Sequence, residues 1–254
     1  MEHIVRDWDY WAYLFRVVHR QTIPGIQAYD DQLIAFIMAA LAPRRGQYFL
    51  DLACGSGVHA VQLGQQGLKG VGVDISPSLV AYANELSREQ GIEDVRFVVG
   101  DMREALCSAS CDFVTILSHS FGFFGPEGDR AVLDVIRTTL YPGGRFLLDL
   151  SELARLKRPQ QSWQALDGGF LLSEAHYDPV TCVRTSNFRY IDRQGRVNVA
   201  AEPERIRLYT LPELTGMIEA AGLQVEAVYG RMALPLTPYS ATCCERRLLV
   251  GRKP

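Results

Sequence analysis

The sequence predicts an α/β protein: a doubly wound, mostly parallel sheet with an antiparallel β subdomain inserted late in the chain. Three observations carry this expectation. Short apolar runs alternate with amphipathic stretches from Tyr48 to Leu150. The first run carries Asp51 just before a glycine turn, the second ends on Asp74, and the third gives way to Gly100-Asp101. After Leu150 the alternation stops, and β-rich segments follow until helical periodicity returns at Leu211. Strands alternating with helices imply βαβ units, and right-handed crossovers put helices on both faces.

Residues 3–20 mix aromatics with charges, and Tyr10, Tyr13 and Val17 fall at roughly helical spacing, so an N-terminal helical lid is expected within residues 1–45. Residues 26–41 form an amphipathic helix stopped by Pro43. Tyr48–Leu52 is a short apolar run of the kind buried parallel strands show. Ser56–Gln66 is expected as a helix and Gly70–Asp74 as a strand. Pro77 sits in the first turn of the next helix, with Ser76 as N-cap, and this helix runs to Gln90. Val95–Val99 is a strand ended by Gly100-Asp101. Asp112–Ser118 is a strand, Glu127–Leu140 a helix, Pro142-Gly143-Gly144 a turn and Arg145–Leu150 a further strand.

Residues 155–168 are polar and expected to be irregular. Phe170–Tyr177, Cys182–Asp192 and Arg196–Tyr209 are expected as antiparallel strands, with a hairpin turn from Asp192 to Gly195. Leu211–Ala221 is a helix with Thr210 as N-cap, Glu213 in its first turn and Gly222 as C-cap. Gln224–Tyr229 and Arg246–Gly251 close the sheet. The expected core is therefore residues 1–154 and 209–254, interrupted by a β subdomain at 155–208 that serves as substrate lid or dimer surface.

The chain has 254 residues and 48% apolar content, enough for one large core. A net charge of -3 and a pI near 6.0 argue against broad nucleic-acid binding, where a basic face supplies most of the affinity. The first residues carry acids and aromatics, so no secretory signal is expected. No stretch reaches the ~18 apolar residues of a membrane span. Cysteines at 54, 107, 111, 182, 243 and 244 form no CxxC pair, so no metal site is expected. Reduced thiols in a cytoplasmic protein are the better reading.

The chemistry concentrates after the first strand of the alternating region. Gly55 and Gly57 let the backbone turn sharply and approach a ligand. The following helix aims free N–H groups at it. A dinucleotide and S-adenosylmethionine both use this geometry, and Gly55, Gly57 and Ala60 match G-x-G-x-x-A, a weak signal alone. A tight turn with no ligand is the plain structural account. Asp51 separates the two ligands. A carboxylate there opposes a pyrophosphate but suits the ammonium of a methionyl group. Asp74 can accept from ribose hydroxyls, which either ligand has. Asp101 can accept from an adenine amino group with Met102 against the ring; a helix N-cap is its plain structural alternative. Three acids at three consecutive strand ends favour S-adenosylmethionine.

With these motifs in hand the sequence resembles the class I S-adenosylmethionine-dependent methyltransferases. The carrying stretches are LDLACGSG (50–57), VGVDIS (71–76), VVGDM (98–102), CDFVTILSHSFGFF (111–124), LYPGGRFLLDL (140–150) and RLYTLPELTGMIEAAGLQVEAVYG (207–230). The resemblance implies a seven-stranded Rossmann-like sheet with its last strand antiparallel. It implies that Asp51, Ala53, Gly55 and Gly57 contact the methionyl end of the cofactor. Asp74 and Ile75 would hold the ribose, Asp101 and Met102 the adenine, and Leu117 and Ser118 the cofactor's edge. Ala53 stands where the family usually has its first glycine. A β-rich insertion followed by YT-x-x-EL is similar to methyltransferases acting on sugar amines and other natural-product intermediates, which implies transfer to N or O of a small molecule.

Methyl transfer needs alignment above all, and a base only when the nucleophile must lose a proton. His119, after the fourth strand of the alternating region, is a candidate base or substrate hydrogen-bond partner, against a structural imidazole. His176 and Tyr177 lie on an insertion strand, where alternation lets only one face the cleft. His59 reads as structural. Phe121, Phe123 and Phe124 are candidates for an apolar wall around the substrate. Tyr10, Trp11 and Tyr13 are candidates for a lid over substrate and cofactor. Arg189 and Arg207 could meet an anionic substrate, against ordinary surface charge. Three other functions stay open: an RNA or protein methyltransferase with the same cofactor site, a nicotinamide-dependent oxidoreductase, and a cofactor-binding module with no catalysis. Neither a basic flank nor an Asn/Asp-Pro-Pro-Tyr tetrapeptide favours nucleic acid. The free edges of an inserted sheet make a homodimer possible.

Overall fold

The computed structural model describes residues 3–5, 26–104, 110–166, 168–200, 202–240 and 244–254. Its strands in chain order are β1 (His3–Val5), β2 (Tyr48–Leu52), β3 (Lys69–Asp74), β4 (Val95–Val99), β5 (Cys111–Ile116) and β6 (Leu140–Ser151). Then come β7 (Gln160–Leu166), β8 (Gly169–Asp178), β9 (Val183–Asp192), β10 (Val197–Ala200), β11 (Glu204–Arg207), β12 (Gln224–Tyr229) and β13 (Arg246–Arg252). The helices are α1 (Ile26–Leu41), α2 (Val58–Gln65), α3 (Pro77–Glu89), α4 (Gly125–Thr139), α5 (Leu153–Leu156) and α6 (Leu211–Ala220).

The main sheet has seven strands in the order β12-β13-β6-β5-β2-β3-β4. Strands β2 to β6 pair in parallel, and β13 runs antiparallel to both its neighbours. The order reverses between β2 and β5, which opens a crevice outside their carboxyl ends. Alternation along each strand feeds two cores. Leu50, Leu52, Val114 and Ile116 pack with Leu133 and Ile136 of α4 and Leu214 of α6. Phe49 and Phe113 pack on the other face with Phe36 and Ile37 of α1, Leu63 of α2 and Ala83 of α3. Fully burying one such side chain stabilises by about 1.5–3 kcal/mol.

Local chemistry sets the helix ends. The Ser76 hydroxyl accepts from the Leu79 N–H and Pro77 follows, so α3 starts there. Thr210 and Glu213 form a reciprocal capping box on α6. Helix α2 starts at Val58, two residues later than expected, because Gly57 holds a left-handed conformation as its N-cap.

The second sheet runs β1-β10-β9-β8-β7, with β11 also paired to β9. Four expectations are corrected here. Residues 155–168, expected to be irregular, include part of α5 and all of β7, which pairs with β8 in unbroken register. The strand expected over 196–209 is two, β10 and β11, with Pro203, which lacks an N–H, between them. Residues 3–5, expected in a helical lid, form β1 and lie parallel to β10. Pro142-Gly143-Gly144 bulges within a continuous β6, where the Gly143 N–H donates to the Lys253 carbonyl and the Lys253 N–H donates to the Gly144 carbonyl. Among the described residues no helix is long and apolar enough to cross a membrane.

Candidate active site

The turn after β2 is built from left-handed residues. Ala53, Gly55 and Gly57 have φ of 58°, 57° and 78°. The two glycines serve different ends. A Cβ on Gly57 would lie 2.6 Å from the Ala83 Cβ and 2.7 Å from the Phe97 ring, so packing demands glycine there. A Cβ on Gly55 would meet nothing within 4 Å, so the backbone at Gly55 faces open space that a ligand can approach.

Two carboxylates brace this turn. Asp51 is 1% exposed and accepts from the Thr115 hydroxyl at 2.7 Å, across the β2–β5 register. Burial pushes its carboxyl up to about 6, against the opposing Thr115 hydrogen bond. Asp74 accepts from the Gly55 N–H at 2.8 Å and the Ser76 N–H at 3.0 Å. Burial raises its pKa, and those two hydrogen bonds lower it. The Asp74 carbonyl takes the Gly100 N–H at 2.9 Å, tying β3 to the end of β4.

Register puts Asp51, Gly72 and Phe97 in line across one face, Asp74 continues that face along β3, and Asp101 lies two residues past the end of β4. Asp101 is gripped by the Arg103 side chain through both its oxygens, which holds its carboxyl below the usual range. The Arg103 guanidinium also lies 4.2 Å from the centre of the Phe124 ring. S-adenosylmethionine fits the donor and acceptor set. The buried Asp51 carboxylate suits a cationic ammonium, and the space above Gly55 admits the chain bearing it. Each Asp74 oxygen keeps a second lone pair for a ribose hydroxyl. A pyrophosphate would meet Asp51 as a like charge.

A second polar cluster lies at the ends of β5 and β6. Ser118 and His119 both hold left-handed backbones, φ 55° and 66°. Such strain persists only where the surroundings impose it, and Asp149 imposes it here. Its carboxylate accepts the Ser118 N–H at 2.9 Å, and its carbonyl accepts the His119 N–H at 2.9 Å. The other carboxylate oxygen accepts from Arg246 Nε. Asp149 is 0% exposed. Ser151 N–H donates to His119 Nδ1 at 3.1 Å, so the ring proton is on Nε2, which is buried and unpaired. Burial first, then Arg247, Arg246 and Arg184, push His119 down to about 3. Tyr29 of α1 closes over the turn, near Ser118 and Arg246, and burial lifts its phenol to about 12.

The remaining expected site residues distribute unevenly. Ile75, Phe123 and Phe124 are at least partly open, while Met102, Leu117 and Phe121 are core residues at 7%, 3% and 2% exposure. Phe121 packs against Tyr209 rather than walling a cleft. On the inserted sheet, Tyr177 shares a face with Arg184, Ser186 and Ala175, which is the covered face. His176 and Arg189 point to the opposite, exposed face, away from His119. His59 bonds Asp30 at 3.0 Å and so links α2 to α1. Arg207 donates to the Thr181 carbonyl. Tyr10, Trp11 and Tyr13 lie outside the described residues. Asp149, Arg246, Arg184, Thr115 and Arg103 escape a sequence reading. Asp149 left one signal, a lone acid at the end of an apolar strand, as at Asp51 and Asp74.

Comparison with known proteins gives the family and the fold. A family profile described as a methyltransferase domain matches residues 49–144. The cypemycin N-terminal methyltransferase of a Streptomyces species is 30% identical over 245 residues, covering 90% of this chain and 96% of that protein. An S-adenosylmethionine-dependent methyltransferase structure from Clostridium acetobutylicum superposes with a TM-score of 0.78 at 16% identity, over 96% of this chain and 98% of that one. An amino pentose methyltransferase from Micromonospora echinaspora, involved in calicheamicin biosynthesis, gives 0.67 at 21% identity, over 95% and 97%. The nicotinamide alternative falls with these matches, and the chain belongs to the S-adenosylmethionine-dependent methyltransferases.

Proposed function

We propose that this methyltransferase methylates an amine nitrogen of a small molecule. The state of His119 carries the reading. Its ring is neutral, its Nδ1 lone pair is taken by the Ser151 N–H, and its pKa is pushed down to about 3. Such an imidazole donates from Nε2 and is a poor base. Tyr29 beside it is lifted to about 12 and stays a phenol at neutral pH. An alcohol needs help losing its proton; a neutral amine attacks with a lone pair it already has.

When bound, S-adenosylmethionine supplies an activated sulfonium methyl. The chain's own part is to orient. Asp51, with Ala53 and Gly55, holds the methionyl end, and Gly57 lets the turn pack beneath it. Asp74 and Ile75 hold the ribose, and Asp101 the adenine. Leu117 and Met102 act by shaping the floor from within the core. The Ser118–His119 turn sets the acceptor in line, and Phe123 and Phe124 exclude water. Alignment of this kind contributes roughly 7–11 kcal/mol.

The relative is named for methylation at the N-terminus of cypemycin, which supports a second acceptor with the same nucleophile, an N-terminal amine. Incubation with methyl-labelled cofactor and matched pairs of amines and alcohols tests the reading. Label in amines alone supports it. Label in the alcohols, or in none of the amines, contradicts it. Two further parts of the reading have simple support. Among the described residues, the free thiols of Cys54, Cys182 and Cys244 fit a reducing, cytoplasmic setting. The edge strand β7, QQSWQAL, carries no charge or proline to block pairing, which favours a homodimer joined there.

A further inference from the structure

Three nitrogen donors near the Ser118–His119 turn are buried and bonded to nothing: His119 Nε2, Arg246 Nη2 and Arg184 Nε. A buried donor without a partner is destabilising, more so when charged. The three residues come from separate elements. His119 follows β5, Arg246 opens β13, and Arg184 lies on the covered face of β9. Both arginines are close enough to His119 to disfavour its protonation.

The rest of each side chain is already engaged. Ser151 N–H occupies His119 Nδ1, and Asp149 takes Arg246 Nε. Arg184 Nη1 donates to the Ser186 hydroxyl, and Nη2 donates to Gln160 Oε1 at 3.1 Å. The three spare N–H groups are therefore fixed in direction. Asp149 faces Arg246, Glu204 neighbours Arg184 and Glu152 neighbours Arg247, so the cluster stands out for its unfilled donors rather than for excess charge. Arg247 adds a third guanidinium, whose donors go to the Tyr209 and Ser151 carbonyls.

We propose that His119, Arg246 and Arg184 form a receptor for a carboxylate of the methyl acceptor, at the seam between the inserted sheet and the rim of the main sheet. A carboxylate accepts several hydrogen bonds and is drawn to guanidinium donors, which a neutral ether or alcohol would satisfy less well. The proposal rests on the amine reading and narrows it: the acceptor is an amine with a carboxylate a few bonds away, amino-acid-like. It also gives the inserted sheet a specificity role through Arg184.

The test is an acetate titration of 15N-labelled protein at constant ionic strength, following His119 Nε2 and arginine Nε signals. Saturable shifts with acetate and none with chloride are expected. Arg246→Lys keeps a cation on Asp149 but removes the second donor, and weakens acetate binding about tenfold. Arg184→Gln, on a different element, gives a loss of similar size. Absence of saturation, or variants that both bind acetate as tightly as the wild type, overturns the receptor. Calorimetry with S-adenosylhomocysteine on the same samples separates the two failures. Protein that binds S-adenosylhomocysteine but ignores acetate refutes this receptor alone. Protein that takes acetate but no S-adenosylhomocysteine keeps the receptor and refutes the cofactor roles.

Discussion

Asp51 combines near-complete burial with a carboxyl lifted to about 6, and the two together predict how the protein responds to pH. An unfolded aspartate titrates near 3.9, so between roughly pH 4 and 6 the native chain holds a proton that the unfolded chain has lost. Stability falls as pH rises through that window, by roughly 3 kcal/mol at most. Asp74 is shifted in the same direction. Asp51→Asn removes the larger part of this slope, so its melting temperature without ligand changes less between pH 4 and 7 than the wild type's. Parallel curves for the two proteins would contradict the account. Asp51 was legible in sequence because an acid on an apolar strand beside a glycine turn has few structural reasons to exist. Thr115 was not, because a threonine in a strand is ordinary, and only the β2–β5 register brings it to Asp51.

At the scale of elements, the glycine turn and the Ser118–His119 turn both hold left-handed backbones at the rim of the main sheet. The two glycines separate stability from binding. Gly57→Ala forces a Cβ to 2.6 Å from Ala83 and should cost about 2–4 kcal/mol of stability in chemical denaturation. Gly55→Ala meets no atom but keeps an unfavourable φ, so it costs about 1–2 kcal/mol while weakening S-adenosylhomocysteine binding far more. Equal effects of the two on stability would refute the division. Asp149 is a positioning residue on this account. Asp149→Asn lowers kcat by about 100-fold while the S-adenosylhomocysteine Kd stays within about threefold, because misalignment rather than cofactor loss is the defect. Proportional loss of both would mark Asp149 as merely structural. The helix starts at Ser76 and Thr210 were legible because caps act within a few residues. The split of β10 from β11 and the strand at 3–5 were harder, since strand pairing is decided by distant partners.

For the whole molecule, the order β12-β13-β6-β5-β2-β3-β4 brings the ends of β2 to β6 to one rim. Strand spacing in sequence foretold that rim, and with it Asp51, Asp74 and Asp101. The inserted sheet was legible as β-rich, but which of its faces is covered was not. Alternation alone leaves His176 and Tyr177 equivalent, and only packing resolves them. The exposed edge of β7 predicts a dimer in solution, so light scattering should return twice the chain mass of 28.4 kDa; a single chain mass excludes pairing there.

The central claim is that a buried carboxylate under the glycine turn receives the ammonium of the cofactor. Calorimetric titration with S-adenosylhomocysteine across pH tests it most directly. The account predicts binding that strengthens as pH rises through about 6, where Asp51 ionises, and that weakens about tenfold or more in Asp51→Asn. No binding, or an affinity indifferent to both pH and the substitution, would contradict it.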